Sequence, residues 1–216
     1  MSELGFRIAQ SNKAFEILAN NLYKDKILAV IRELSCNAYD AHVEAEISTR
    51  PFEVHIPTYN EPYFSVRDYG SGLTSEQVED IFTVFFESTK TGSSRFTGSF
   101  GLGAKTPFAI VNEFFVNSYQ NGTITKYVCR RKGGIPVIEC LDVQSTTLEN
   151  GLEIRFNLDI KSFDEQNWRD KAYNALDAFK IPPICNCKFV FSHKKEEYLC
   201  GNNWESLPDQ RGILIQ

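Results

Sequence analysis

The chain has 216 residues, 42% of them hydrophobic and 13% aromatic, enough apolar matter to close a core and too much for a disordered chain. Its net charge of -5 opposes non-specific grip on nucleic acid, which depends on cationic side chains displacing counterions. No apolar window approaches a membrane span and "MSELGFRIAQSNKAF" holds no signal core, so the six cysteines are expected to be reduced thiols of a cytosolic protein.

Residues 12–23, "NKAFEILANNLY", and 25–44, "DKILAVIRELSCNAYDAHVE", space their apolar side chains as helices, the second behind an acidic cap. "FEVHIP" and "YFSVRD" alternate as paired strands around "TYNEP", and "SEQVEDIF" forms a short amphipathic helix behind Thr74 and Ser75. From Glu87 to Gly103 the chain is polar and glycine-bearing, too long for a routine connection, so a lid is expected there. A helix opened by Lys105 follows, in "AKTPFAIV". Four strand-like runs come next, "EFFVNSY", "TITKYVC", "IPVIECL" and "LEIRFNL", with Asn-Gly and Gly-Gly turns between the first three. Trp168, Ala172, Leu176 and Phe179 share one face of a further helix, which "IPP" ends. These elements predict an α+β two-layer sandwich, a mostly antiparallel mixed sheet covered by helices on one face. Residues 1–180 are expected to form it. Residues 181–216 read as the truncated beginning of a following domain, since "RGILIQ" stops within a strand pattern.

Three stretches carry chemistry. On the second helix Glu33, Asn37 and Asp40 stand at i, i+4 and i+7, beside an apolar stripe of Ile27, Ile31, Leu34 and Ala38. The polar stripe reads either as a solvated edge laced with salt bridges or as partly buried functional groups. In "RDYGSGLT", Asp68 ends a strand and Gly70 and Gly72 follow. Such glycines let the backbone turn close to a flat ligand, and the carboxylate can accept from an amino group such as adenine N6; an ordinary turn has the same pattern. In "RFTGSFGLGAKTPFAIV", backbone N–H groups at a glycine-rich helix start suit phosphate. Neither common nucleotide loop fits, because Ala104 separates Gly103 from Lys105 and Gly101-Leu-Gly103 lacks the third glycine. A flexible linker is the alternative, although linkers seldom interleave Phe100 and Leu102 with glycine. Cys185, Cys187, His193 and Cys200 are poorly spaced for zinc.

Taken in order, Glu-x-x-x-Asn-Ala-x-Asp-Ala, Asp-x-Gly-x-Gly and Gly-x-Phe-Gly-x-Gly resemble the GHKL ATPases. These include gyrase B subunits, ninety-kilodalton heat-shock chaperones, mismatch-repair ATPases and histidine kinase catalytic domains. Within that superfamily the sequence is most similar to the rapid-lysis A proteins of T-even-type bacteriophages, through "KAFEILANNLYKDKILAVIRELSCNAYDAH", "VRDYGSGLT", "FFESTK", "FTGSFGLGAKTPFAIVNEFFVNSYQNG" and "GLEIRF". The resemblance implies the Bergerat ATP-binding fold, with ATP and Mg²⁺ as ligands. It gives Glu33 the handling of the attacking water, Asn37 the Mg²⁺, Asp68 the adenine with Leu73 beside the base, and Asp40 and Ala41 the adenine end. Gly70 and Gly72 would shape that end. Gly98, Phe100, Gly101, Leu102, Gly103 and Ala104 would form the phosphate-wrapping lid, with Lys105 beside the phosphates and Lys90 a further lid residue. His42 would be a helix-face residue near the pocket rim.

The likeness also implies slow hydrolysis, homodimerisation on ATP binding, partnership with rapid-lysis protein B, and a place in the infected bacterium's cytoplasm at the periphery of the inner membrane. Lysis timing and resistance to host exclusion would be its roles. Two departures stand against the superfamily. Many relatives carry Gly-Thr where this chain has Gly151-Leu152, which leaves Thr146, Thr147 or nothing to supply the hydroxyl. No catalytic Lys or Arg is identifiable in residues 181–216. A nucleotide-sensing adaptor that binds ATP without useful turnover is therefore the second reading. A histidine kinase is a third, opposed by the absence of a phosphoacceptor helix and by the Glu that opens the helix motif.

Overall fold

Asp25 caps the first helix, accepting the Leu28 N–H at 3.1 Å while Lys171 pairs with its carboxylate. In the computed structural model of the chain, residues 23–83 and 103–191 are described, together with the backbone of 200–201, 204–206 and 213–215. The expected helix over 12–23 lies, apart from Tyr23, outside the described residues, and so does the expected lid, apart from Gly103.

Helix α1 (Lys26–Glu44) turns Ile31, Leu34 and Ala38 of its expected stripe inward together with Val30, while Ile27 is half-buried at the edge of the core. Strands β1 (Glu53–His55) and β2 (Tyr63–Arg67) pair antiparallel. Helix α2 (Ser75–Thr83) begins with a capping box: Gln77 N–H donates to Thr74 Oγ1 at 3.2 Å and Thr74 N–H to Gln77 Oε1 at 2.9 Å. Thr74, not Ser75, is the cap.

Where the sequence predicts a helix opened by Lys105, the chain forms a seven-residue 3-10 helix, Gly103–Ala109. Pro107 has no N–H to give the Gly103 carbonyl, so the α-helical ladder fails at its first rung. The Thr106 hydroxyl donates to that carbonyl instead, at 2.8 Å.

Strands β3 (Glu113–Gln120), β4 (Thr123–Lys132), β5 (Ile135–Ser145) and β6 (Gly151–Asn157) follow, then helix α3 (Glu165–Leu176) behind Asp164 and the short β7 (Ile184–Cys185). Between β3 and β4, Asn121 and Gly122 both take positive φ, the turn their sequence predicts. The sheet order is β5-β4-β3-β6-β2-β1-β7, antiparallel except for β1 with β7. Asn186, next after β7, uses its side-chain amide to bond both Ile56 N–H and Ile56 C=O. Strands β8 (Cys200–Gly201), β9 (Trp204–Ser206) and β10 (Ile213–Ile215) make a separate antiparallel sheet. Among the described residues no helix is long and apolar enough to cross a membrane.

The register explains where the site falls. Val66 (β2), Ile154 (β6), Val116 (β3) and Tyr127 (β4) form one row across the sheet. These side chains, with Phe64, Phe114 and Phe156, meet Ile31 and Leu34 of α1 and Trp168 and Leu176 of α3 in a single core. Two positions further along each strand the row changes character: Leu152 pairs with Ser118, Ser118 with Thr125, and Asp68 N–H donates to the Leu152 carbonyl at 2.9 Å. Side chains two apart on a strand share a face, so Asp68 enters the helix-covered layer where its apolar packing ends.

Candidate active site

Asp68 is 6% exposed, and its carboxylate has no cationic side chain bonded to it among the described residues. Its Oδ1 accepts two backbone N–H groups, from Gly70 at 2.9 Å and Leu152 at 3.1 Å. Both bonds fall on Oδ1, and no bond to Oδ2 is formed among the described residues. Burial pushes the carboxyl up to about 6, against the opposing pull of those two N–H donors and of Arg67. A buried acceptor held on one side and open on the other is suited to an amino group brought in by a flat, apolar-bodied ligand.

The turn after Asp68 is tied down on both sides. Gly70 approaches α1 so closely that a Cβ there would lie 3.0 Å from the Cβ and carbonyl oxygen of Ala41. Gly72 has φ +72, and a side chain on it would meet the Tyr119 carbonyl at 2.2 Å, so only glycine fits. Ser118 then holds Leu73 twice, its hydroxyl accepting Leu73 N–H at 2.8 Å and donating to Leu73 C=O at 2.7 Å.

The other end of the site lies on the same helix. Gly103 packs against the polar stripe of α1, where a Cβ would stand 3.2 Å from both Glu33 Oε2 and the Asn37 amide nitrogen. Glu33 keeps 25% of its side chain exposed, and its Oε1 accepts from Arg32 at 3.2 Å. Glu33, Asn37 and Ala41 are spaced by four, so they line one face of α1 over about 12 Å at the helical rise. Gly103 touches that face at one end and the Asp68 turn touches it at the other. Asp40 is fully enclosed, so it supports this face from within. Lys90, Gly98, Phe100, Gly101 and Leu102 lie outside the described residues.

The sequence family described as histidine kinase-, DNA gyrase B- and HSP90-like ATPase matches residues 23–162. The chain belongs to this family. Its general activities are ATP binding and hydrolysis. Among solved structures, this ATPase domain is similar to the ATPase region of Saccharomyces cerevisiae topoisomerase II bound to ICRF-187 (dexrazoxane). The TM-score is 0.60 at 17% identity, covering 82% of this chain and 57% of that one. At that identity the likeness is one of fold, and the chain spans little more than half the length of the other. No curated protein sequence matches the chain.

In this ATPase domain the Gly151-Leu152 pair serves the site through its backbone. Leu152 N–H anchors Asp68 Oδ1 and its C=O takes Asp68 N–H. Gly151 has φ +136, and a Cβ there would fall 2.1 Å from the Asp68 carbonyl. The Thr146 hydroxyl accepts from Leu148 N–H at 3.1 Å, and Thr146 N–H donates to Gly122 at the β3–β4 turn, which engages it locally. Lys105 is 6% exposed, and burial pushes its ammonium down to about 8, with the Cys129 thiol as electrostatic neighbour. The same burial raises Cys129 to about 12.

The roles of three residues around Asp68 escape sequence reasoning. His42, expected at the pocket rim, is fully buried. Its Nε2 accepts Tyr69 N–H at 2.8 Å and its Nδ1 faces the Arg50 carbonyl at 3.0 Å. Arg67 reaches the Asp68 and Glu149 carbonyls with its guanidinium 4.0 Å from the Tyr119 ring centroid. Ser118 is the third. Only the alternation of β3, which puts a polar side chain on the core face at 118, signals it in the sequence.

Proposed function

We propose that this chain binds Mg-ATP along the α1 face and hydrolyses it slowly, as the nucleotide-driven switch of a rapid-lysis-A-like phage protein. The observation that carries the nucleotide reading is the contact of Gly103 with Glu33 and Asn37 at one end of that face and of Gly70 with Ala41 at the other. The base would lie against Asp68 Oδ2 and Leu73, and the phosphates against Asn37, Gly103 and Lys105. Glu33, still open to solvent, would orient and deprotonate the attacking water.

Asn37 offers one amide oxygen beside the Glu33 carboxylate, a donor set that fits Mg²⁺. That ion takes one or two protein oxygens and completes its shell with phosphate and water. When bound, it would neutralise charge developing on the phosphoryl oxygens. Closure of the glycine-rich stretch over the phosphates would exclude bulk water and couple the bound nucleotide to the rest of the protein. ATP-dependent homodimerisation, partnership with rapid-lysis protein B, a position peripheral to the host inner membrane, and roles in lysis timing and host exclusion belong to the same reading. They rest on the sequence resemblance.

Glu33→Ala tests the hydrolytic role. Turnover is expected to fall about 10²–10⁴-fold with nucleotide binding kept; unchanged turnover would remove Glu33 from it. The second reading, an adaptor that binds ATP without useful turnover, draws on Leu152, whose side chain offers no hydroxyl to the base. Turnover in the parent that vanishes in Glu33→Ala at unchanged affinity would contradict it.

A further inference from the structure

The peptide that joins Asp68 to Tyr69 is gripped at both of its polar atoms. Its carbonyl accepts from Arg67 Nη1, and its N–H donates to His42 Nε2 at 2.8 Å. We propose that His42 and Arg67 are positioning residues that aim the Asp68 carboxylate into the base pocket, and that His42 does so only as the neutral imidazole protonated at Nδ1. This rests on the nucleotide reading above for its consequence, though the clamp itself is a feature of the fold.

The hydrogen bonds fix the tautomer. A backbone carbonyl only accepts and a backbone N–H only donates, so Nδ1 facing the Arg50 carbonyl at 3.0 Å must carry the proton and Nε2 must be bare. A doubly protonated ring has no acceptor for Tyr69 N–H. That N–H would then be left buried and unsatisfied beside a second donor. The surroundings also oppose a charge. Arg50, from the loop after α1, and Arg67, from β2, are the cations that face the ring, and Phe52 and Tyr69 flank it at 6.4 and 6.2 Å. The carboxylates beyond them are occupied elsewhere, Glu149 with Arg50, Glu53 with the Tyr69 hydroxyl, and Asp68 with its own two N–H donors. Desolvation and the two arginines hold the imidazole below its ordinary range, against the pull of the Arg50 carbonyl.

Arg67 completes the grip from the other side. Its Nη2 donates to the Glu149 carbonyl at 2.7 Å, so one guanidinium ties the Asp68 peptide to the chain entering β6, the strand that supplies Leu152 N–H. With Oδ1 doubly bonded and the following peptide fixed at both ends, Oδ2 has little freedom left. His42 lies five residues beyond Asn37, on the far side of Asp40, and takes no part in the phosphate end of the site.

Two readouts on the whole chain test this. First, long-range ¹H–¹⁵N spectra of the imidazoles as pH falls from 8 to 5: His42 is expected as the Nδ1–H tautomer, with the Tyr69 amide shifting in step as the ring protonates. Second, calorimetric affinity for a non-hydrolysable ATP analogue with Mg²⁺. His42→Leu should weaken binding roughly tenfold, the loss of one buried hydrogen bond. His42→Gln, whose Oε1 can accept the same N–H, should restore it. Folded His42→Leu that binds like the parent would overturn the positioning role while leaving the nucleotide reading intact. A parent that binds no analogue would overturn the nucleotide reading, and the spectra would still decide the clamp. An Nε2-protonated His42, or a Tyr69 amide indifferent to it, would overturn that too.

Discussion

At Asp68 the proposed role in binding the base works against stability. A carboxyl held at about 6 in the fold and 3.8 in the unfolded chain makes the folded state bind a proton that the unfolded state releases. Its contribution is therefore favourable below pH 3.8 and is lost as pH rises through 6, leaving a penalty of about 3 kcal/mol at neutral pH. Asp68→Asn keeps an acceptor for Gly70 and Leu152 N–H without the charge. It should unfold at higher denaturant concentration than the parent at pH 7.5, by about 1–3 kcal/mol, and the difference should shrink as pH falls from 6 towards 4. The same variant should lose the nucleobase. Lys105 runs the other way: at about 8 folded and 10.5 unfolded, it makes the unfolded chain bind more protons between those values. The parent should gain stability relative to Lys105→Met as pH rises from 8 to 10.5, measured by denaturant titration at each pH. Glu33, Asn37 and Asp68 are legible in the sequence because each sits at a fixed offset within an ordered motif. His42, Arg67 and Ser118 are not, because what defines them is which backbone group they reach across 8 to 82 residues of chain.

At the scale of elements, β1 to β6 and α1, α2 and α3 declare themselves through alternation, helical spacing and caps, although α3 stops at Leu176, before the Phe179 expected on its apolar face. The stretch after Gly103 does not. "AKTPFAIV" has helical composition, but one missing N–H at Pro107 and one hydroxyl at Thr106 suffice to tighten it into a 3-10 helix. The pairing of β7 with β1 was equally hidden, since a two-residue strand carries no period, and the Asn186 side chain that ties it to Ile56 is a long-range bond. The turn between β2 and α2 offers the cleanest test of an element's design. Gly72→Ala would force a Cβ to 2.2 Å from the Tyr119 carbonyl at φ +72. We expect it to cost about 2 kcal/mol or more in chemical denaturation. Wild-type stability would mean that the turn repacks freely and does not fix Leu73.

For the whole molecule, membership of the ATPase family and a topoisomerase-like ATPase fold establish the scaffold. The α1 face then carries Gly103 beside Glu33 and Asn37 at one end and Gly70 beside Ala41 at the other, about 12 Å apart. The order of two motifs foreshadows those contacts: the helix motif repeats at four-residue steps along α1, and Asp-x-Gly-x-Gly follows directly on β2. The proposed larger role, a switch in a phage protein that governs lysis, draws on the sequence resemblance. The first measurement is calorimetric titration of the purified chain with a non-hydrolysable ATP analogue and Mg²⁺, with Asp68→Asn alongside. Saturable binding in the parent that the folded variant loses is the expected result. Equal affinity in both, or no binding in the parent, would contradict a base pocket built on Asp68.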